Sequence, residues 1–314
     1  MSALEEGRVE LSIIIVNYNG KRFLADCLDS IAEKVSCSHE VIMVDNASAD
    51  DSCTFLRENY PETRLVESKI NTGFTGGNNL GAQHAKGRLL LLLNNDTRLL
   101  TDIAQILNEF DDPGLGALGC RLFYGDSRQQ YSFGYEHTPI RLVLSWLGIS
   151  SISVLPDLFR RNQMNTAAYE IPHENVSWIS GAFLLTPRYL WEKLGGLDDG
   201  YFMYVEDVDY CKRVRDAGYR IAYTPRAEVI HYEGSGKEWL GNKALNNSMR
   251  SYIRYTGKFY GRPSVFLMRI SLVAVMFCRS VAYGLASVFS DSAIWKDKFR
   301  AYQSASVTLL KCRF

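Results

Sequence analysis

Leu89-Leu-Leu-Leu-Leu-Asn-Asn-Asp96 decides the fold of this 314-residue chain. Five consecutive leucines suit a strand buried on both faces, as in a parallel sheet covered by helices. The run then ends abruptly in three polar side chains. Open α/β sheets bind their ligands beyond the carboxyl ends of the strands. Asn and Asp also end strands in ordinary solvated turns. A second acidic cluster, Val205-Glu-Asp-Val-Asp209, and His231 at another strand end shift the balance toward chemistry. Together they offer a metal ligand, a base and a further ligand.

Upstream of the leucines the same pattern repeats. Leu11-Ser-Ile-Ile-Ile-Val16 runs into Asn17-Tyr-Asn-Gly20, and helical spacing follows at Phe23, Leu24, Cys27, Leu28 and Ile31. Glu40-Val-Ile-Met-Val44 ends at Asp45-Asn-Ala-Ser48, and Arg64-Leu-Val-Glu67 precedes Asn71-Thr-Gly-Phe-Thr-Gly-Gly-Asn78. Four strands alternating with helices imply a parallel sheet with right-handed crossovers, so the polar loops collect at one edge. Downstream, Phe123 to Asn175 shows no regular pattern and reads as a long insert. A single strand is expected over Val176–Leu185, a helix near Arg188–Leu194, a helix after Val205, and two strands, Tyr219–Tyr223 and Glu228–His231.

Composition bounds the function. Charged residues make up 22% and hydrophobic ones 46%, which excludes a largely disordered chain. The formal net charge is zero, so no global field draws in nucleic acid. Seven cysteines without a Cys-x-x-Cys pair read as buried free thiols in a reducing compartment. The polar, acidic Met1–Arg8 lacks the character of a signal peptide, and a cytosolic location is expected.

Several loops carry chemistry. The glycines of Asn71–Asn78 either let backbone amides approach a diphosphate or serve a tight turn. The loop lacks the ending of a P-loop and does not follow the first strand, which argues against ATPase and dehydrogenase readings. Asp45 is placed either to bond a ribose or base or to cap a helix. Asp96 is a hard oxygen ligand suited to Mg²⁺ or Mn²⁺. His231 is either its companion ligand or a satisfied core histidine. Glu206, Asp207 and Asp209 crowd one helix start, where the dipole favours carboxylates and keeps a general base ionised. Trp178 either stacks on a sugar or belongs to the core.

Together, Ser12-Ile-Ile-Ile-Val-Asn-Tyr-Asn19, Val44-Asp-Asn-Ala-Ser48, Asn71-Thr-Gly-Phe74, Gly77-Asn78-Asn79, Leu93-Asn-Asn-Asp96, Ser180-Gly-Ala182, Tyr204-Val-Glu-Asp-Val-Asp209 and His231 resemble the family 2 inverting glycosyltransferases. The likeness is to the rhamnosyltransferase-like branch and covers roughly residues 10 to 260. It implies an α/β GT-A fold, a Rossmann-like, mostly parallel sheet flanked by helices, with a C-terminal helical extension. The expected division is a catalytic domain at 8–261 and a basic, apolar extension at 262–314. The resemblance assigns Asn17 and Asp45 to the nucleoside; Asn71, Gly73, Asn78 and Asn95 are expected beside them at the nucleotide sugar, and Trp178, Ser180, Gly181 and Glu206 at the acceptor. It implies that Asp96 holds the divalent cation, Mg²⁺ or Mn²⁺, that His231 is a further metal or phosphate contact, and that Asp207 is the base. Asn94 departs from the family's Asp-x-Asp motif and weakens the charge set against the metal.

The implied activity is transfer of a sugar, rhamnose from dTDP-rhamnose first and a UDP-hexose second, to a glycan or lipid-linked saccharide in cell-surface polysaccharide synthesis. A nucleotidyltransferase fits worse, because Asn17-Tyr-Asn-Gly-Lys21 poorly matches a triphosphate-gripping loop. A noncatalytic scaffold for polysaccharide assembly is opposed by the intact Asp96, Asp207 and His231. From Arg262 onward eight Lys or Arg face two Asp, and the apolar run is broken by Arg269 and Arg279. No uninterrupted stretch of spanning length is therefore expected. The tail is read as an interfacial helix at the inner face of the membrane, with packing in a homo-oligomer as the alternative.

Overall fold

The computed structural model describes residues 9–149, 156–232, 237–289 and 293–312. Residue 8, the expected start of the catalytic domain, and Arg313 lie outside the described residues, as does Met1–Arg8 as a whole. Two compact units are present: Met1–Gly134, Asn162–Asp199 and Glu206–Glu233 form the first; Tyr135–Arg161, Gly200–Val205 and Gly234–Phe314 form the second.

The first unit begins with alternating elements: β1 (Leu11–Asn17), α1 (Lys21–Lys34), β2 (His39–Asp45), α2 (Ser52–Asn59), β3 (Arg64–Glu67), α3 (Gly73–Ala82) and β4 (Leu89–Asn94). Parallel pairing sets Ile13 of β1 between Val41 of β2 and Leu91 of β4. The five leucines of β4 are at most 1% exposed, as a strand covered on both faces requires. Leu24, Cys27, Leu28 and Ile31 form the buried stripe of α1.

The chain continues through β5 (Thr97–Leu99), β6 (Leu115–Phe123), β7 (Gln129–Gln130), β8 (Phe133–Gly134), β9 (Trp178–Ile179), β10 (Phe183–Pro187), α5 (Arg188–Leu194), α6 (Glu206–Asp216) and β11 (Arg220–His231). The main sheet runs β3-β2-β1-β4-β10-β6-β11-β5, with β7 beside β6. Among the described residues of the main sheet, β10, β5 and β7 are the antiparallel strands, so β1, β2, β4, β6 and β11 point their carboxyl ends the same way.

Three expectations need correction. Val176–Leu185 is not one strand: Ser180-Gly181-Ala182 interrupts it, because β9 pairs with β8 in a separate small sheet while β10 enters the main one. Tyr219–Tyr223 and Glu228–His231 are one strand, β11, whose register against β6 shifts between Thr224 and Glu228 around Pro225. That irregularity absorbs a residue unable to donate to the ladder. All seven cysteines are free, but Cys278 is exposed and Cys37, Cys53 and Cys312 are only partly buried.

The second unit contains α4 (Pro139–Trp146), α7 (Lys237–Val288) and α8 (Ala293–Lys311). The expected boundary at 261/262 falls inside α7, at Gly261 with φ +77° and just before Pro263. Helices α7 and α8 are joined by stacking of Tyr283 on Trp295 and Tyr302, at 5.5 and 5.3 Å between ring centroids. The segment Asn242–Val288 is long and apolar enough to cross a membrane by length and composition, with an 18-residue window of mean hydropathy 1.9, 33% buried. The run is nonetheless interrupted by Arg269 and Arg279, as expected from the sequence; these donate to Cys312 O and to Tyr302 Oη and Trp146 O within the same unit. Phe266, Ile270, Phe277, Val281, Leu285 and Val288 are exposed at helical spacing along α7.

Candidate active site

Asn17 closes β1 fully buried, so its amide must find partners inside the protein. It donates to Asp45 Oδ2 at 3.1 Å and to Ser48 Oγ at 3.2 Å, and its Oδ1 accepts from Asn95 Nδ2 at 2.8 Å. Asp45, 3% exposed at the end of β2, also accepts the Ser48 N–H at 2.9 Å. The loop between β1 and α1 lies so close that a Cβ on Gly20 would meet Asn95 Nδ2 at 2.1 Å and Asn17 Oδ1 at 2.6 Å. Only glycine fits there without breaking the Asn17–Asn95 bond.

The glycine-rich loop is held by a residue the sequence reading passed over. Asn46, 1% exposed, donates to Asn71 Oδ1 at 3.1 Å and Gly73 O at 2.8 Å, and accepts from Thr72 N and Thr72 Oγ1, both at 3.0 Å. Asn71 Oδ1 also receives the Gly73 N–H at 2.9 Å, and Gly73 opens α3 with φ +75°. Its side chain stood inside the motif Val44–Ser48, where a buried amide beside two loops was the available signal. Asn78 is not brought to the edge with the others. It is 1% exposed and donates to Phe74 O at 2.9 Å, bracing its own helix.

Asp96 and His231 meet because β5 and β11 pair antiparallel, with His231 opposite Thr97 and Tyr232 N–H donating to Asp96 O at 2.9 Å. Asp96 Oδ1 lies 3.3 Å from His231 Nε2. Two cis ligands of an octahedral Mg²⁺-sized cation, each at about 2.1 Å, stand about 3 Å apart, so the pair fits one hard cation. Asn94 Nδ2 contacts His231 Nε2 at 3.0 Å, occupying the place the family gives to a first carboxylate. Among the described residues no group of three or more His, Cys, Asp or Glu could hold a metal ion. Asp96 and His231 would therefore hold a cation only together with ligands from outside the protein.

The break between β9 and β10 joins this cluster to α6. Asn94 N–H donates to Ala182 O at 3.1 Å, and Gly181 N–H donates to Asp207 Oδ2 at 2.9 Å. Asp207 Oδ1 accepts the Val208 N–H at 2.8 Å. Two backbone donors thus orient the carboxylate of a half-buried side chain. Ser180 is partly exposed beside it. Glu206 is 6% exposed, and among the described residues its Oε2 has no hydrogen-bond partner. Burial, and then the charge of Asp207, push its carboxyl well above the ordinary carboxylate range. Asp209 is fully buried and paired with Arg213 at 2.7 Å, which also donates to Leu194 O and Gly196 O. It fastens α6 to the end of α5. Trp178 is 7% exposed on β9 and lies in the interior, so a ring open for stacking is not what the fold provides.

Known proteins share this plan. The profile described as "Glycosyl transferase family 2" matches residues 12–192, more than half of the chain. An N-acetylglucosaminyl-diphospho-decaprenol L-rhamnosyltransferase of Mycobacterium tuberculosis is 28% identical over 240 residues, 71% of this chain and 76% of the relative. The rhamnosyltransferase WbbL of Escherichia coli is 31% identical over 116 residues, 35% of this chain and 44% of its own. A mannosyltransferase from Pyrobaculum calidifontis, solved with GDP-Man and Mn²⁺, superposes with a TM-score of 0.58 at 16% identity, covering 98% of this chain and 88% of that one. The fold is GT-A, a mostly parallel sheet flanked by helices with further helices at the C-terminus. By its profile match, its fold and its rhamnosyltransferase relatives, the chain belongs to glycosyl transferase family 2 and is a glycosyltransferase.

Proposed function

We propose that the enzyme transfers rhamnose from dTDP-rhamnose, with inversion, to a hydroxyl of a glycan or lipid-linked saccharide during cell-surface polysaccharide synthesis. The observation that carries this reading is the likeness to the mycobacterial rhamnosyltransferase across 76% of that relative's length. In it, Asn17, Asp45, Asn71, Gly73 and Asn95 frame the nucleotide, Asn78 bracing α3 behind them. Asp96 and His231 hold Mg²⁺ or Mn²⁺, which when bound supplies positive charge against the departing diphosphate. Ser180 and Gly181 line the acceptor side, with Trp178 and Glu206 supporting them from beneath.

Asp207 takes the proton of the acceptor hydroxyl. The oxygen then forms its bond to the anomeric carbon from the face opposite the nucleotide, and the bond to the diphosphate breaks. One displacement inverts the centre. The two backbone N–H groups on Asp207 fix the direction of its lone pairs before the acceptor arrives, so little orientation is left to be lost in the transition state.

The exposed apolar stripe of α7, with Lys296, Lys298, Arg300 and Lys311 on α8, suits a peripheral position on the anionic inner face of the membrane, where a lipid-linked acceptor is presented. Packing of this stripe against a second copy is the competing cover. Sedimentation with phosphatidylglycerol liposomes decides between them: binding lost in Phe277→Ser/Leu285→Ser supports the membrane, whereas a wild-type dimer that ignores liposomes overturns it.

The donor is tested by incubating the enzyme with dTDP-rhamnose or a UDP-hexose and a polyprenyl-diphosphate N-acetylglucosamine, and reading the product by mass spectrometry. Addition of a deoxyhexose from the dTDP donor is expected. Addition of a hexose from the UDP donor instead would replace the rhamnose reading.

A further inference from the structure

We propose that Gln130 is a positioning residue for the cation site, holding His231 as the Nδ1–H tautomer so that its Nε2 lone pair faces the space beside Asp96. The proposal rests on the reading of Asp96 and His231 as cation ligands and extends it to a residue on a different strand. Gln130 lies within the stretch whose sequence shows no pattern, and no motif includes it.

The assignment follows from the donors around the ring. His231 is 8% exposed, so each ring nitrogen has to be satisfied by protein. Nε2 faces Asn94 Nδ2 at 3.0 Å. In this orientation the Asn94 amide NH₂ donates, so the contact calls for a lone pair on Nε2, although the Asp96 carboxylate beside the same nitrogen would by itself favour a proton there. Nδ1 lies 3.1 Å from Gln130 Oε1, an acceptor, so this contact calls for a proton on Nδ1. Asp96 Oδ1 stands 3.3 Å from the same Nε2. A cation beside Asp96 thus meets the basic nitrogen of the ring, while the outer nitrogen is tied to an acceptor, the arrangement that orients histidine ligands in metal sites.

Gln130 is itself held. It is 5% exposed, and β7 places it opposite Leu122 of β6. The neighbouring Gln129 amide donates to Leu122 O at 3.0 Å and to Gln130 O at 2.8 Å, while its Oε1 receives Arg121 Nε at 3.0 Å. The hairpin β6–β7 therefore delivers one acceptor to one ring nitrogen. Asn94 sets the opposing demand: a cation that takes His231 Nε2 has to displace the Asn94 amide from it.

The test uses the full-length chain and Mn²⁺ with dTDP, read by electron paramagnetic resonance of free Mn²⁺, with no sugar donor present. Gln130→Leu, which removes the acceptor, is expected to weaken Mn²⁺ binding about tenfold to a hundredfold. Gln130→Glu, which keeps an acceptor oxygen, is expected to restore most of it, a rescue that simple space-filling would not discriminate. Long-range ¹H–¹⁵N correlation on the unsubstituted protein without metal is expected to show His231 protonated at Nδ1, and this holds whether or not a variant folds. An Nε2–H spectrum, or wild-type Mn²⁺ affinity in Gln130→Leu, overturns the proposal. His231→Ala separates the causes. If it weakens Mn²⁺ and Gln130→Leu does not, only the role of Gln130 falls; if neither weakens it, His231 is no ligand and the underlying reading falls too.

Discussion

Replacing Asp207 by Asn keeps the size of the side chain and removes its capacity to take a proton. A positioned general base contributes about 10²- to 10⁴-fold, so turnover should drop by that range, a barrier increase of about 3 to 5 kcal/mol. The structure adds a second, smaller effect. Asp207 accepts N–H groups from Gly181 at 2.9 Å and Val208 at 2.8 Å, one on each oxygen. Asn can turn its carbonyl to only one of them, leaving an NH₂ against the other donor, at a cost of about 1–3 kcal/mol. For a unit of this size that lowers Tm by about 2–4 °C per kcal/mol. The assay is initial rate against acceptor concentration at saturating donor, with the nucleotide Kd measured in parallel by calorimetry. The expected result is a collapse of kcat with nearly unchanged nucleotide affinity, since the N–H groups Asp207 accepts come from Gly181 and Val208, outside the Asn17–Asp45 group. Turnover within about tenfold of wild type would remove Asp207 from the base role.

Other perturbations probe the remaining parts. Asn94→Asp restores a second carboxylate beside Asp96 and should tighten Mn²⁺ binding by about tenfold or more, while like-charge repulsion lowers Tm in metal-free buffer; titrating Mn²⁺ by calorimetry checks both. Gly20→Ala drives a methyl into Asn95 Nδ2 and Asn17 Oδ1 and breaks the bond between them, so nucleotide affinity should fall, and the buried Asn17 oxygen left without that donor should lower Tm as well. Glu206→Gln tests the buried acid by its pH dependence. Its carboxyl is raised from 4.5, so the stability it contributes is fully present below pH 4.5 and is lost as pH climbs through the folded-state value. Thermal melts should therefore show wild type losing Tm over that window relative to the Gln variant, and parallel curves would contradict the assignment.

The half of the fold built on β1 to β4 was legible because buried parallel strands must be apolar on both faces, a pattern few other structures impose. Leu89–Leu93 and Ile13–Ile15 carried that signal, and the polar ends of their strands located the site. The stretch around Ser180 and Gly181 was less legible. Nothing in Val176–Leu185 marks the point where pairing passes from β8 to β4, since Ser180 and Gly181 fit a strand as well as a break. The short β7 strand hides for the same reason: two residues cannot show a period, so Gln130 carries no pattern of its own. Asn78, Trp178 and Glu206 were placed at the site by motif, but whether a side chain points outward or inward depends on its neighbours across the sheet. Each is buried. In α7, the arginines that interrupt the apolar run bond within their own unit, which a count of apolar residues does not show.

We propose that the polar edge of the sheet, from Asp45 through Asn17 and Asn95 to Asp96 and His231, is a nucleoside-diphosphate site assisted by a divalent cation. A thermal-shift panel of dTDP, UDP, GDP and CDP, each with and without Mn²⁺, measures it directly, because a ligand that binds only the folded chain raises Tm. The account predicts a shift with dTDP that grows when Mn²⁺ is added and disappears in Asp96→Ala. No shift with any of the four nucleotides, with or without Mn²⁺, would contradict it.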